Sequence, residues 1–258
     1  MQNKLICLNK NDQFIRQFSQ GSNLPLQDLD VIPDDPIIFR GILKKDLIKE
    51  RLATGKTFYY MDSGYVGNYP YRENPEGKKL YFRIVKNGLQ HDKIIDRPDD
   101  RWRKLNFSIE SWKSGDHILL VLPSEKPCKF YDIDLDSWTR DTINTLKTYT
   151  DRPIKVRQKQ SRKNRIENTI YQDLNGAHAM VTFNSIAAVE SVLYGIPAFT
   201  LAPTAADPVC DKDLSLIETP TYCSDDKRYL WACHLAYGQY HIREIKNGNA
   251  YRMLNENS

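Results

Sequence analysis

The chain has 258 residues, 40% of them hydrophobic and 27% charged, with a formal net charge of +4 and no long block of like charge. That supports a soluble protein with a sizeable core, built as one large domain or two small ones, and it permits a polyanionic partner without demanding one. The opening MQNKLICLNK has too short an apolar run for a signal peptide, and no stretch approaches a membrane span. The five cysteines (Cys7, Cys128, Cys210, Cys223, Cys233) form no CxxC pair, so a reduced, cytoplasmic protein is expected.

In chain order, Pro36–Ile42 reads as a strand, Lys44–Ala53 as a helix, Thr57–Met61 as a strand and Leu80–Lys86 as another. The charged, turn-rich DKIIDRPDDRWRKLN over 92–106 reads as an exposed loop near a domain boundary. His117–Leu122 is a continuous apolar run, as a strand buried on both faces requires. Helical spacing follows over Asp136–Tyr149, then a strand at Pro153–Arg157, a helix at Ile166–Leu174 and a strand at Ala179–Phe183. A further helix and a strand at Ala198–Leu201 complete the run, and Lys227–Leu254 looks mainly helical. The β-α alternation from about 115 to 202 predicts a parallel, doubly wound sheet.

Ligands of such sheets sit beyond the carboxyl ends of the strands. Four loops are expected there: Pro123–Asp134, Gln158–Arg165, Asn184–Ser185 and Ala202–Cys210. They bring Ser124, Glu125 and a basic run containing Lys159 to one edge, together with helix N-termini, which suits an anion. The same run also fits a solvated loop. VTFNSIAAVESVLYGIPAF (181–199) raises the same choice. Asn184 and Ser185 either cap a helix that carries a solvated Glu190, or they hold a phosphate beside a ribose-binding acid. The two readings of Ser185 are compatible, because a vacant cap is an anion site.

The pattern of strand, Ser185, helix with Glu190, Gly195-x-Pro197 and strand resembles the nucleotide-sugar half of GT-B glycosyltransferases, closest to the capsule Kdo- and sialyltransferase type. It is also similar to sugar-nucleotide epimerases. The stretch from 117 to 254 looks like small glycosyltransferase-like proteins of tailed phages. The resemblance implies an α/β, GT-B-like fold with two Rossmann-like parallel-sheet halves facing across a cleft, the N-terminal half being reduced. Residues 1–115 would form the acceptor-side domain. Residues 116–258 would form the nucleotide-sugar domain, with its C-terminal helices packing back. It implies donor binding by Ser124, Glu125, Arg157, Lys159, Asn184, Ser185 and Glu190. Arg157 and Lys159 stand where the family carries a His-Pro or Arg/Lys motif; His-Pro is absent here, and they are the nearest basic substitutes. The donor it implies is a nucleotide-sugar co-substrate, UDP-linked in preference to CMP-linked, and it implies neither cofactor nor metal.

Transfer needs a base for the acceptor hydroxyl. Asp62, at the end of the aromatic strand in YYMDSGYVGN, is the first candidate, and a turn aspartate is the alternative; His91 is the second. Asp28-Leu29-Asp30 and the Asp132/Asp134/Asp136 run fit turns better than metal ligation. For the acceptor, the phage-like resemblance favours a 5-hydroxymethylpyrimidine in duplex DNA, in a phage-infected host cytoplasm. The basic clusters Lys44, Lys45, Lys49, Arg51 and Arg97, Arg101, Trp102, Arg103, Lys104 would contact the DNA. A capsule-type glycan acceptor, a non-catalytic nucleotide-sugar or DNA-binding protein, and an epimerase are the alternatives.

Overall fold

A computed structural model describes residues 4–29, 34–68, 79–158 and 169–256. The chain forms two compact units, Met1–Leu89 with Ala236–Ser258, and Gln90–Leu235.

The first unit is a six-stranded sheet. β1 (Leu5–Cys7), β2 (Leu26–Asp28), β3 (Ile37–Arg40) and β4 (Phe58–Ser63) pair in parallel in the order β2-β1-β3-β4. β5 (Tyr81–Lys86) and β10 (Gln239–His241) extend the sheet beyond β4 as antiparallel strands. This half is therefore mixed, not wholly parallel as expected. An antiparallel neighbour needs no crossover helix, and strand direction leaves no mark on the alternation of side chains.

α1 (Gln13–Ser22) starts where the Asp12 carboxylate accepts the N–H groups of Phe14 and Ile15, and ends at Asn23 in the left-handed region. α2 (Lys45–Thr54) stops at Gly55. Near the chain end, α9 (Ile242–Lys246) and α10 (Asn249–Glu256) place Ile245 and Ala250 against Ile15, Phe18 and Tyr59 in the core of this unit. A side chain at Gly21 would lie 2.2 Å from the Ile245 carbonyl, so the absence of one permits that contact.

The second unit has a four-stranded, all-parallel sheet: β6 (His117–Val121), β7 (Ile154–Arg157), β8 (Ala177–Thr182) and β9 (Ala198–Thr200), ordered β7-β6-β8-β9. Ile118, Leu120, Ala179, Val181 and Phe199 fill its core, whereas the edge strand β7 is exposed at Lys155 and Val156. α4 (Glu125–Tyr131), α5 (Leu135–Lys147), α6 (Ile170–Leu174) and α7 (Ala187–Leu193) connect the strands, and α8 (Asp225–Gly238) follows. The alternation expected over 115–202 is present, with α4 lying inside the segment expected as a loop. The part of the 166–174 helix before Thr169 falls outside the described residues.

The two compact units divide at 89/90 and again at 235/236. α3 (Asp100–Leu105) interrupts the expected loop and buries Trp102 and Leu105. The following segment is fastened to the second unit by two backbone bonds, Glu110 N–H to the Leu193 carbonyl and Lys113 N–H to the Gly195 carbonyl. Buried Arg228 donates to the Glu110 carbonyl at 2.8 Å and stacks 4.1 Å from the Trp112 ring.

Gly195 has φ +83°, and a Cβ there would sit 2.1 Å from the Ser111 carbonyl. Gly195→Ala is expected to destabilise the protein by more than the ~1–2 kcal/mol of a left-handed alanine, because the clash adds to the strain; urea denaturation measures it.

Candidate functional site

In the second unit the last pairs of the ladder are Val121 with Arg157, Val121 with Thr182, and Thr182 with Thr200, so four strand ends form one edge. The Thr182 hydroxyl donates to the Val121 carbonyl at 2.8 Å and ties the two central ends together. Strand order reverses between β6 and β8, because β6 is followed by β7 on one side and by β8 on the other. A crevice is expected at that reversal. The two loops leaving it carry Ser124, Asn184 and Ser185.

Ser124 is the N-cap residue of α4, yet its side chain makes no capping bond. Ser185 Oγ accepts the Ala187 N–H at 3.2 Å, but the N-cap position of α7 is Ile186, which makes no side-chain capping bond. The Asn184 side chain reaches the Tyr131 hydroxyl, whose pKa is raised by burial first and by the Asp207 carboxylate second. Phe183 meets Tyr131 edge-on at 5.2 Å. Asp207, after β9, accepts from the hydroxyls of Thr200 and Thr204 and pairs with Lys212 at 2.8 Å. Tyr131 and Asp207 were not anticipated. They come from segments whose sequence shows only a helix end and a loop, and only the sheet topology brings them near Asn184.

Glu190 lies in α7 and is 7% exposed, which excludes the solvated glutamate. Arg157 is held by the Asp173 carboxylate of α6. Lys159 lies outside the described residues. Glu125 is exposed and pairs with Lys129 at 2.6 Å along its own helix. Its contact with Lys129 lowers its pKa.

The first unit has a comparable edge. Arg40 ends β3, Asp62 stands near the end of β4, and Asp12 follows β1. Asp62 accepts the Ser63 N–H at 2.7 Å and the Tyr60 hydroxyl at 3.1 Å. Arg40 Nη1 lies 3.6 Å from Asp62 Oδ1, and Arg83 Nη2 3.5 Å from Oδ2. Both guanidiniums lie near aromatic rings, Arg40 by Phe82 at 4.8 Å and Arg83 by Tyr60 at 5.6 Å. Burial works to raise the Asp62 pKa, but Arg83, the Ser63 N–H, Arg40 and Lys79 outweigh it and hold the carboxyl below its usual range.

His91 packs edge-on to buried His234 at 5.7 Å; burial and Arg97 push His234 down to about 4. The two basic clusters fall in different units. Lys44 and Lys45 are in the first unit, whereas Arg97, Arg101, Trp102 and Arg103 are in the second. Arg51 is fully buried and donates to the carbonyls of Asp35 and Thr57. Trp102 is 5% exposed and its ring is not open for base stacking. Arg103 and Lys104 pair with Asp99 and Asp100 one helical turn away. Asp28 pairs with Lys10, while Asp132 and Asp134 terminate and cap helices. Among the described residues no three His, Cys, Asp or Glu side chains gather as a metal site, and no helix is long and apolar enough to cross a membrane.

The chain is similar in fold to KpsC of Thermosulfurimonas dismutans, a beta Kdo 2,4 transferase. The match covers 98% of each chain at a TM-score of 0.58 and 11% identity. The fold is α/β and GT-B-like. No protein-family model and no curated protein matches the sequence.

Asp62→Asn tests the electrostatics of the first edge. A carboxylate with a lowered folded-state pKa stabilises the fold fully above the usual aspartate range, and that contribution is lost as pH falls through the lower value. The stability gap between wild type and variant in urea titrations is therefore expected to be constant near neutral pH and to close in acid.

Proposed function

We propose that the protein is a glycosyltransferase that moves a sugar from a nucleotide-sugar donor to a hydroxyl of a glycan. One observation carries the reading. Ser124, Asn184 and Ser185 leave the two central strands at the reversal of a parallel sheet, with Glu190 buried in the helix that follows. Ser124 and Ser185 would hold the donor phosphates, Arg157 would add charge, and Glu190 would accept from the ribose hydroxyls. Preformed donors of this kind stabilise a departing phosphate as charge develops on it. The end-to-end likeness in fold to a Kdo transferase favours a glycan acceptor over DNA. The burial of Trp102 and Arg51 and the pairing of Arg103 and Lys104 point the same way.

The test is titration calorimetry with UDP, CMP and their sugars, followed by transfer to glycan acceptors read by mass spectrometry. Ser185→Ala and Glu190→Gln are each expected to weaken donor binding at least tenfold with thermal melting unchanged; donor affinity unaltered in both variants overturns the site. We expect transfer to be metal-independent, so that it survives a chelator.

A further inference from the structure

We infer that Arg40, Lys79 and Arg83, fixed by Asp62, form an oxyanion-binding site in the first unit, and that the acceptor carries a carboxylate or phosphate which docks there. Asp62 is then a positioning residue and not the base. The inference rests on the transferase reading for the identity of the ligand as acceptor, but the site itself is argued from the first unit alone.

Three observations carry it. The first is location. Asp12 and Arg40 flank the place where the parallel order β2-β1-β3-β4 reverses, between β1 and β3, on the carboxyl side of the strands. The second is charge. Arg40, Lys79 and Arg83 all act on Asp62, Arg40 also reaches Asp12, and Asp12 Oδ1 is already engaged by two N–H groups of α1. The third is geometry. Arg40 makes its contacts through Nη1 and Nε: 3.5 Å to the Met61 carbonyl, 3.6 Å to Asp62 and 3.9 Å to Asp12. Its Nη2 has no hydrogen-bond partner among the described residues and is not among the buried polar atoms, and the side chain is 20% exposed.

Arg83 is held more deeply. Its Nη1 donates to the Ser63 carbonyl at 3.3 Å, and its ring neighbours Tyr60 and Tyr65 come before and after Asp62 in the chain. Lys79 lies over the Phe82 ring at 5.4 Å. A planar guanidinium already fixed by rings and a carboxylate loses little freedom on binding, and a paired fork suits carboxylate or phosphate geometry. A base, by contrast, works best with its pKa near the operating pH. Two arginines, a hydroxyl and an N–H draw Asp62 the other way.

The experiment is calorimetry of the full chain with glucuronate, inorganic phosphate and, as the neutral control, glucose. Wild type is expected to bind glucuronate or phosphate and not glucose, and the preferred anion identifies the source of the charge. Arg40→Gln should weaken that binding at least tenfold, Arg40→Lys less, and Lys79→Gln provides a second probe should Arg40→Gln fail to fold. UDP and CMP binding should be unchanged in each, so a loss confined to the anion separates this site from the donor site. In a transfer assay Asp62→Asn should raise the acceptor KM with a smaller change in kcat. Wild type that binds neither anion, or equal anion affinity in Arg40→Gln and Lys79→Gln, overturns the site. A fall in kcat at unchanged anion affinity in Asp62→Asn makes it the base.

Discussion

Parallel pairing with both faces covered is the constraint on which the candidate sites depend. β6 and β8 are buried along their whole length, so their polar neighbours can only emerge at the ends. Because all four strands of the second unit run the same way, every strand-to-helix loop in it opens on one edge. The first unit obeys the same rule over β1 to β4 and relaxes it only at its antiparallel border. Each unit therefore has a polar edge at a reversal of strand order, and each edge differs in chemistry. Hydroxyl and amide groups dominate in the second unit, paired guanidiniums in the first.

The contrast bears on what the edges hold. Ser124, Asn184 and Ser185 are short groups that let a ligand approach the backbone. Arg40 and Arg83 are long groups that meet a charge at a distance, and they are kept from folding back by Phe14, Phe82, Tyr60 and Tyr65. Asp62 moderates the repulsion between them, and a carboxylate between two partly buried cations is cheaper to keep ionised than one standing alone.

The second unit was the more legible in sequence, because continuous apolar runs such as HILLVL and AHAMVTF state burial on two faces directly. The opening 30 residues gave no strand reading for β1 and β2, since three-residue strands are too short to show alternation, although Ile15 and Phe18 of α1 stand at helical spacing. β10 was hidden inside a stretch whose flanks are helical, and only its pairing to β5 makes it a strand. The catalogue of charges misled for a related reason. Trp102 and Arg51 look like a surface in sequence, but Trp102 is on the buried face of α3 and Arg51 is drawn inward by two carbonyls. Asp62 was singled out by its place at a strand end, while its partners Arg40 and Arg83 come from other strands and gave no local signal.

The border strand β7 bears on behaviour at high concentration. It pairs with β6 on one side and is an edge of the sheet among the described residues, and Val156 at its middle is 48% exposed. A flat apolar border of this kind invites a strand from another molecule. Here Lys155 is exposed beside Val156 and Arg157 closes the strand in an ion pair with Asp173, so an incoming chain meets a hydrated cation and a short ladder that ends within four residues. The same charges that border the candidate ligand edge thus also discourage self-association through the sheet.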